Sequence, residues 1–207
     1  MIHILGFIII SFGIVGVIYS RLGASPIDAF NYFVWTLTPL TLGTVVILTG
    51  LSVTLLAFIF NRSKDMILSL VFLFLVGGLI DGWKFIFDLM PAGFYDDFVF
   101  RLILATISLF MMAFGVAITL TTGLATSPYE QLMMILNKKI HSIQFSKMII
   151  EGTFFTLAVI MGLITNQLFD QVNVFTLLLV LLNGPLVSIF LRIINKNMSK
   201  KAVGYAI

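Results

Sequence analysis

Hydrophobic residues in this chain do not alternate as in strands, nor recur as the single stripe of a surface helix. They come in six long blocks, over residues 4–22, 42–60, 66–87, 99–121, 148–164 and 172–194. Each block is roughly the 17–25 residues that a helix needs to cross the hydrocarbon core of a bilayer. A helix satisfies its backbone hydrogen bonds internally, which lipid requires of any crossing segment. Short polar connections punctuate the blocks, as at Asn61-Arg62-Ser63-Lys64-Asp65 and Pro91-Ala92-Gly93-Phe94-Tyr95-Asp96-Asp97. The pattern predicts an all-α membrane protein with six transmembrane helices.

Composition agrees. The chain is 60% hydrophobic and 10% charged, with mean hydropathy +1.14, whereas soluble domains carry roughly 25% charged residues. The expected partner is the lipid bilayer, and a water-solvated monomeric globule is excluded. There are no cysteines, so disulfides and thiolate metal sites are excluded. His3 and His141 lie far apart and no metal-ligand spacing occurs, so neither metal nor cofactor is expected. No Ser/His, His/His or paired-aspartate arrangement is legible, and an enzyme is not expected. No cleavage site precedes the first block, which is therefore expected to remain as a helix.

Charge sets the orientation. With both termini cytoplasmic, Arg62, Lys64, Lys138, Lys139, Lys147, Arg192, Lys196, Lys200 and Lys201 fall inside, against Arg21, Lys84 and Arg101 outside. Nine against three is the positive-inside bias, and it fits the basic residues better than a nucleic-acid surface does.

The chain also matches itself at a gapless offset of 102. Phe12-Gly13 falls on Phe114-Gly115, Ser25-Pro26-Ile27-Asp28 on Ser127-Pro128-Tyr129-Glu130, Gly50 on Gly152, and Asp81-Gly82 on Asn183-Gly184. Coinciding Pro, Gly and Ser-Pro-x-acid positions are far harder to obtain by chance than matching leucines. The expected halves are residues 1–97 and 98–207, within one membrane domain. Each holds three spans, an odd number, so the second must enter the membrane inverted. Inverted repeats are the architecture of many alternating-access transporters, although duplication can equally build a larger bundle, a channel or a scaffold.

Each Ser-Pro-x-acid motif reads as a helix start. Ser25 and Ser127 would be N-caps, Pro26 and Pro128 would take the first helical position, and Asp28 and Glu130 would complete capping boxes. Short helices over residues 27–37 and 129–139 should follow, too short to span. Capping alone explains the spacing. The same positive helix ends can also bind an anion or polar solute, and the carboxylates a cation or proton. Since a helix of about 30 Å already brings the chain across the core, the two motifs should lie near opposite faces as matching rims or gates, unless the short helices dip back inward. Tyr32 and Trp35 suit an interfacial belt.

Polar residues inside spans complete the candidate site. Asp81 in the third span and its repeat partner Asn183 in the sixth are the leading candidates, because such groups are costly in lipid and usually face a cavity or a polar partner. Asp81 has an alternative in a salt bridge to Lys84, and Asn183 in support of a kink at Pro185. Glu151 would snorkel or pair with Lys147. Gly78 and Gly82 read as a close helix-packing pair.

The segment Leu22-Gly23-Ala24-Ser25-Pro26-Ile27-Asp28, just after a first span containing Phe12-Gly13, resembles the hallmark of the bacterial YczE/YyaS/YitT group of membrane proteins. The second copy, Leu124-Ala125-Thr126-Ser127-Pro128-Tyr129-Glu130, fits that group's duplicated architecture. The resemblance implies a multi-pass protein of the bacterial cytoplasmic (inner) membrane and supplies no substrate. The leading functional expectation is a small-solute permease working by alternating access, with Asp81, Asn183, Ser25, Asp28, Ser127 and Glu130 as binding or gating residues for an unidentified solute or ion. The alternatives are an accessory or regulatory membrane protein, or a substrate-binding subunit of a vitamin-type importer with partner subunits.

Overall fold

The fold is taken from a computed structural model that describes residues 1–60, 65–123 and 127–204, without the side chains of 65–66, 143 and 197–204. Among the described residues it is all helical. The elements are α1 (Ile2–Ser20), α2 (Pro26–Leu37), α3 (Leu42–Phe60), α4 (Asp65–Asp88), α5 (Gly93–Asp96), α6 (Phe98–Thr121), α7 (Pro128–Ile140), α8 (Ile143–Thr165), α9 (Leu168–Gln171) and α10 (Val174–Gly204). Helices α1, α3, α4, α6, α8 and the α9–α10 segment are long and apolar enough to cross a membrane, as the six blocks predict. The fifth span starts earlier than its apolar run, because Ser142 accepts a hydrogen bond from the Phe145 N–H and caps α8 through its polar first turns. The sixth continues beyond its apolar run, and Pro185 lies inside it without ending it.

Contacts define two ends of the bundle. At one, here the Asp97 end, Arg101 donates from Nε to the Ser20 carbonyl and from Nη2 to the Arg21 carbonyl, both at 2.6 Å. A guanidinium there satisfies the orphan carbonyls at the C-terminus of α1 and matches the helix dipole. Tyr19 donates to Asp88 at the same end. Gln171, fully buried, donates from Nε2 to the Ile18 carbonyl at 2.9 Å while its backbone carbonyl accepts from the Ala24 N–H at 2.9 Å. The opposite end, here the Lys139 end, has the Lys139 ammonium over the Phe60 ring, 5.0 Å from its centroid.

The most extensive crossing joins α1 and α6, antiparallel, through small residues. A methyl group at Gly13 would lie 2.8 Å from the Ser108 carbonyl oxygen and 3.0 Å from the Met112 nitrogen; one at Gly115 would lie 2.8 Å from the Gly6 oxygen and 2.9 Å from the Ile10 nitrogen. In lipid, helices gain nothing from merely hiding apolar surface, so close backbone approach at small residues is what holds such a crossing. Helix α4 packs along α1, and α10 along α6.

Glycine packing differs from the expectation for Gly78 and Gly82, where an added methyl would meet nothing within 4 Å. The close approach is one position away, where a methyl on Gly43 of α3 would fall on the Gly77 carbonyl of α4. Adjacent helical residues point about 100° apart, so the sequence shows a small residue without showing which face its helix turns inward.

Candidate functional site

Local chemistry places the two Ser-Pro-x-acid motifs at helix starts as expected. Ser25 accepts from the Asp28 N–H at 3.2 Å, and Ser127 from the Glu130 N–H at 3.3 Å, with Pro26 and Pro128 in the first turns. The reciprocal arm of the capping box is replaced in the first copy: the Asp28 carboxylate takes the Ser25 hydroxyl, at 2.6 Å. Residues 124–126 of the second copy lie outside the described residues.

The expectation of rims on opposite faces is overturned. Helix α2 packs on α8, and α7 packs on both α3 and α8. Phe154, midway along α8, meets Phe30 of α2 and Tyr129 of α7 edge-to-face, both at 5.6 Å between centroids. Tyr129 stands beside Asp28 and Asn31. From this shared interior, α2 leads toward the Asp97 end, where Trp35 lies under the Lys84 ammonium, and α7 leads to Lys139 at the other. The sequence argument failed because it stacked each short helix beyond its span. In the fold each turns back inward, and the two N-terminal turns converge. Tyr32 is correspondingly buried rather than interfacial.

The convergence brings polar groups together in an apolar interior. Asp28 is buried, with Ser25 its hydrogen-bonding neighbour. Asn31 is 1% exposed, and neither its Oδ1 nor the Tyr129 hydroxyl makes a hydrogen bond of good geometry. Buried polar atoms left in this way are costly. Asn31 escaped sequence reasoning, although its position three residues after Asp28, on the same helical face, was the available signal.

The two leading intramembrane residues separate. Asp81 accepts from the Thr41 hydroxyl at 2.6 Å and from the Gly43 N–H at 2.7 Å, clamping the start of α3 onto α4. The proposed Asp81–Lys84 pair is absent: Lys84 bonds Asp88 at 2.6 Å, one turn further on. Asn183 has no such role, and its buried Oδ1 has no partner. Neither residue joins the Asp28–Asn31–Tyr129 cluster through any of these contacts. Lys147 and Glu151 pair at 3.5 Å, as their spacing suggests.

Between α3 and α8, floored by α2 and α7, lies a cavity of about 600 Å³. Its wall is apolar apart from Thr49, Ser52, Thr153 and Lys139. Ser52 and Thr153 donate to carbonyls of their own helices, Leu48 and Ile149, at 2.9 and 2.8 Å, so their protons are already committed. No group of metal-binding side chains occurs among the described residues.

Six spans with two short helices meeting inside them define a multi-pass integral membrane protein. More particularly, the chain belongs to the Family of unknown function (DUF6198), whose profile matches residues 1–192. It is 31% identical over 205 residues to the "Uncharacterized protein YyaS" of Bacillus subtilis (strain 168), covering 97% of this chain and 96% of that protein. It is 30% identical over 135 residues to the "Uncharacterized membrane protein YczE" of the same organism, covering 65% of this chain and 60% of that protein. No solved structure matches.

Proposed function

We propose that this protein is a permease, not an enzyme, in which two inverted repeats alternate access to the cavity between α3 and α8. The observation that carries the reading is the exchange symmetry of the contacts. The offset of 102 turns Gly6 into Ser108, Ile10 into Met112 and Gly13 into Gly115. The surroundings of Gly13 and Gly115 in the α1–α6 crossing are then the same contact seen from each half. The pairings of α2 with α8 and α7 with α3 exchange likewise, as do those of α4 with α1 and α10 with α6. The cavity wall draws on equivalent positions: Phe30 with Leu132, Val34 with Leu136, and Leu48 with Ile150. Binding at an interface between repeats that rock against each other is the transporter precedent.

One seam breaks the symmetry, which supports two states over a static bundle. In the first half, Asp81 clamps α3 to α4 and Gly50 packs on Leu73. At the equivalent positions Asn183 has an unpartnered oxygen, a methyl on Gly152 would meet nothing within 4 Å, and among the described residues α10 forms no comparable seam with α8. The arrangement reads as closed at the Asp97 end and released at the other. With the Lys139 end cytoplasmic, as the basic residues favour, this is an inward-facing state of a cytoplasmic-membrane carrier.

The natural absence of cysteine permits a direct test. Thr49→Cys and Thr153→Cys, each the sole thiol, are exposed to a membrane-impermeant thiol reagent from either side of sealed vesicles. A carrier predicts labelling of the same position from both sides under different ion gradients. Labelling confined to one side under every condition refutes alternating access and favours an accessory protein. Stoichiometric co-purification with an ATPase would instead assign the importer-subunit role.

A further inference from the structure

We infer that the α3–α8 cavity takes a single-chain anionic amphiphile, its apolar chain lying between α3 and α8 and its head group at Lys139. The inference rests on the cavity of the permease reading and names its substrate class.

Among the described residues the wall carries no acidic side chain and few polar ones, and the Ser52 and Thr153 hydroxyls are bonded to their own helices. A hydrophilic solute would lose its hydration there without replacement bonds. From Val45 to Phe60 the α3 wall extends about 22 Å at about 1.5 Å per residue, which calls for an elongated occupant. The cavity has room for one such chain. Taking each methylene as about 30 Å³, equal to one water's share of liquid volume, sixteen carbons occupy about 480 Å³ against a cavity of roughly 600 Å³.

Charge fixes the direction. Among the described residues Lys139 is the one charged residue in the wall, it is exposed where α3 ends at Phe60, and no acidic partner pairs with it. Lys138 lies beside it in sequence at the C-terminal turn of α7. An anionic head group there gains a charge-assisted bond to the ammonium while its chain follows the apolar wall.

The test uses the full chain in nanodiscs of zwitterionic lipid, with empty discs as the blank. Hexadecanoate, hexadecanol and an anionic two-chain phospholipid are titrated against a fluorescent fatty-acid probe. Hexadecanoate should displace the probe saturably and bind about tenfold more weakly to Lys139→Gln, the loss of roughly one ion pair. Hexadecanol should bind wild type and variant alike, and Val53→Trp should weaken both single-chain ligands by filling the wall. Equal binding of hexadecanoate to wild type and Lys139→Gln overturns the inference. So does tighter binding of the two-chain phospholipid, which would make the site one for membrane lipid. Saturable hexadecanoate binding combined with one-sided thiol labelling would keep the ligand and discard the permease reading.

Discussion

Replacing Asp81 with alanine removes two hydrogen bonds to a carboxylate, from the Thr41 hydroxyl and the Gly43 N–H, at the start of α3. Bonds to charged groups contribute about 1.5–3 kcal/mol each when buried. Asp81 is half-buried and Thr41 exposed, so the lower part of that range applies, and loss of a helix cap alone typically costs about 1 kcal/mol. A total near 2 kcal/mol follows, which for a chain of this size lowers the Tm by about 4–8 °C. Tryptophan fluorescence in detergent reads the melting, and hydrogen exchange at the Gly43 amide reads the clamp itself. Asp81→Asn keeps one acceptor oxygen and should lose about half as much. Thr41→Val combined with Asp81→Ala should melt below Asp81→Ala alone only by the loss of the cap that the Thr41 hydroxyl gives the Thr44 N–H at 3.1 Å, about 1 kcal/mol, since its bond to Asp81 is already gone. Asn183→Ala, which breaks no bond to its side-chain oxygen, should stay within about 0.5 kcal/mol of wild type. An Asp81→Ala protein that melts within about 1 °C of wild type, with Gly43 exchange unchanged, would refute the clamp. If the carrier reading is right, Asp81→Ala also raises thiol labelling from the Asp97 side.

Gly43→Ala should lower stability by about 1–3 kcal/mol through overpacking against Gly77. Gly78→Ala, with open space around it, should be neutral or stabilising by up to about 1 kcal/mol; equal melting shifts would contradict the α3–α4 seam. Arg101→Gln gives up the charge-assisted bonds to the Ser20 and Arg21 carbonyls and should lose about 1.5–3 kcal/mol, read as a melting shift. Arg101→Lys should show a smaller shift that is still measurable, because an ammonium keeps the charge but cannot reproduce the guanidinium fork. Ser25→Ala removes the α2 cap and the Asp28 hydroxyl partner together. It should cost about 1–2 kcal/mol, more than Ser127→Ala, and an equal cost would deny Asp28 its dependence on that hydroxyl.

The sequence by itself determined the elements that lipid enforces. A bilayer demands a crossing helix of nearly fixed length, so the six blocks and their order could be read directly, α3 to the residue at both ends. Local bonding likewise made the caps legible: Ser25 and Ser127 serve the N–H groups three residues on. Tertiary structure decided what depends on which face each helix turns to its neighbour. Asp81 finds its partners around forty residues earlier in the chain rather than at Lys84 on its own helix, and Gly77 rather than Gly78 meets α3. The inward turn of α2 and α7 brought Tyr129 beside Asn31 and Asp28, although each motif alone fixed only a helix start. The cavity was the least legible of all, because its wall is made of the same leucines, isoleucines and valines that elsewhere face lipid. In an apolar solvent those residues carry no preference for protein over lipid, so only the packed arrangement distinguishes a cavity wall from an outer surface.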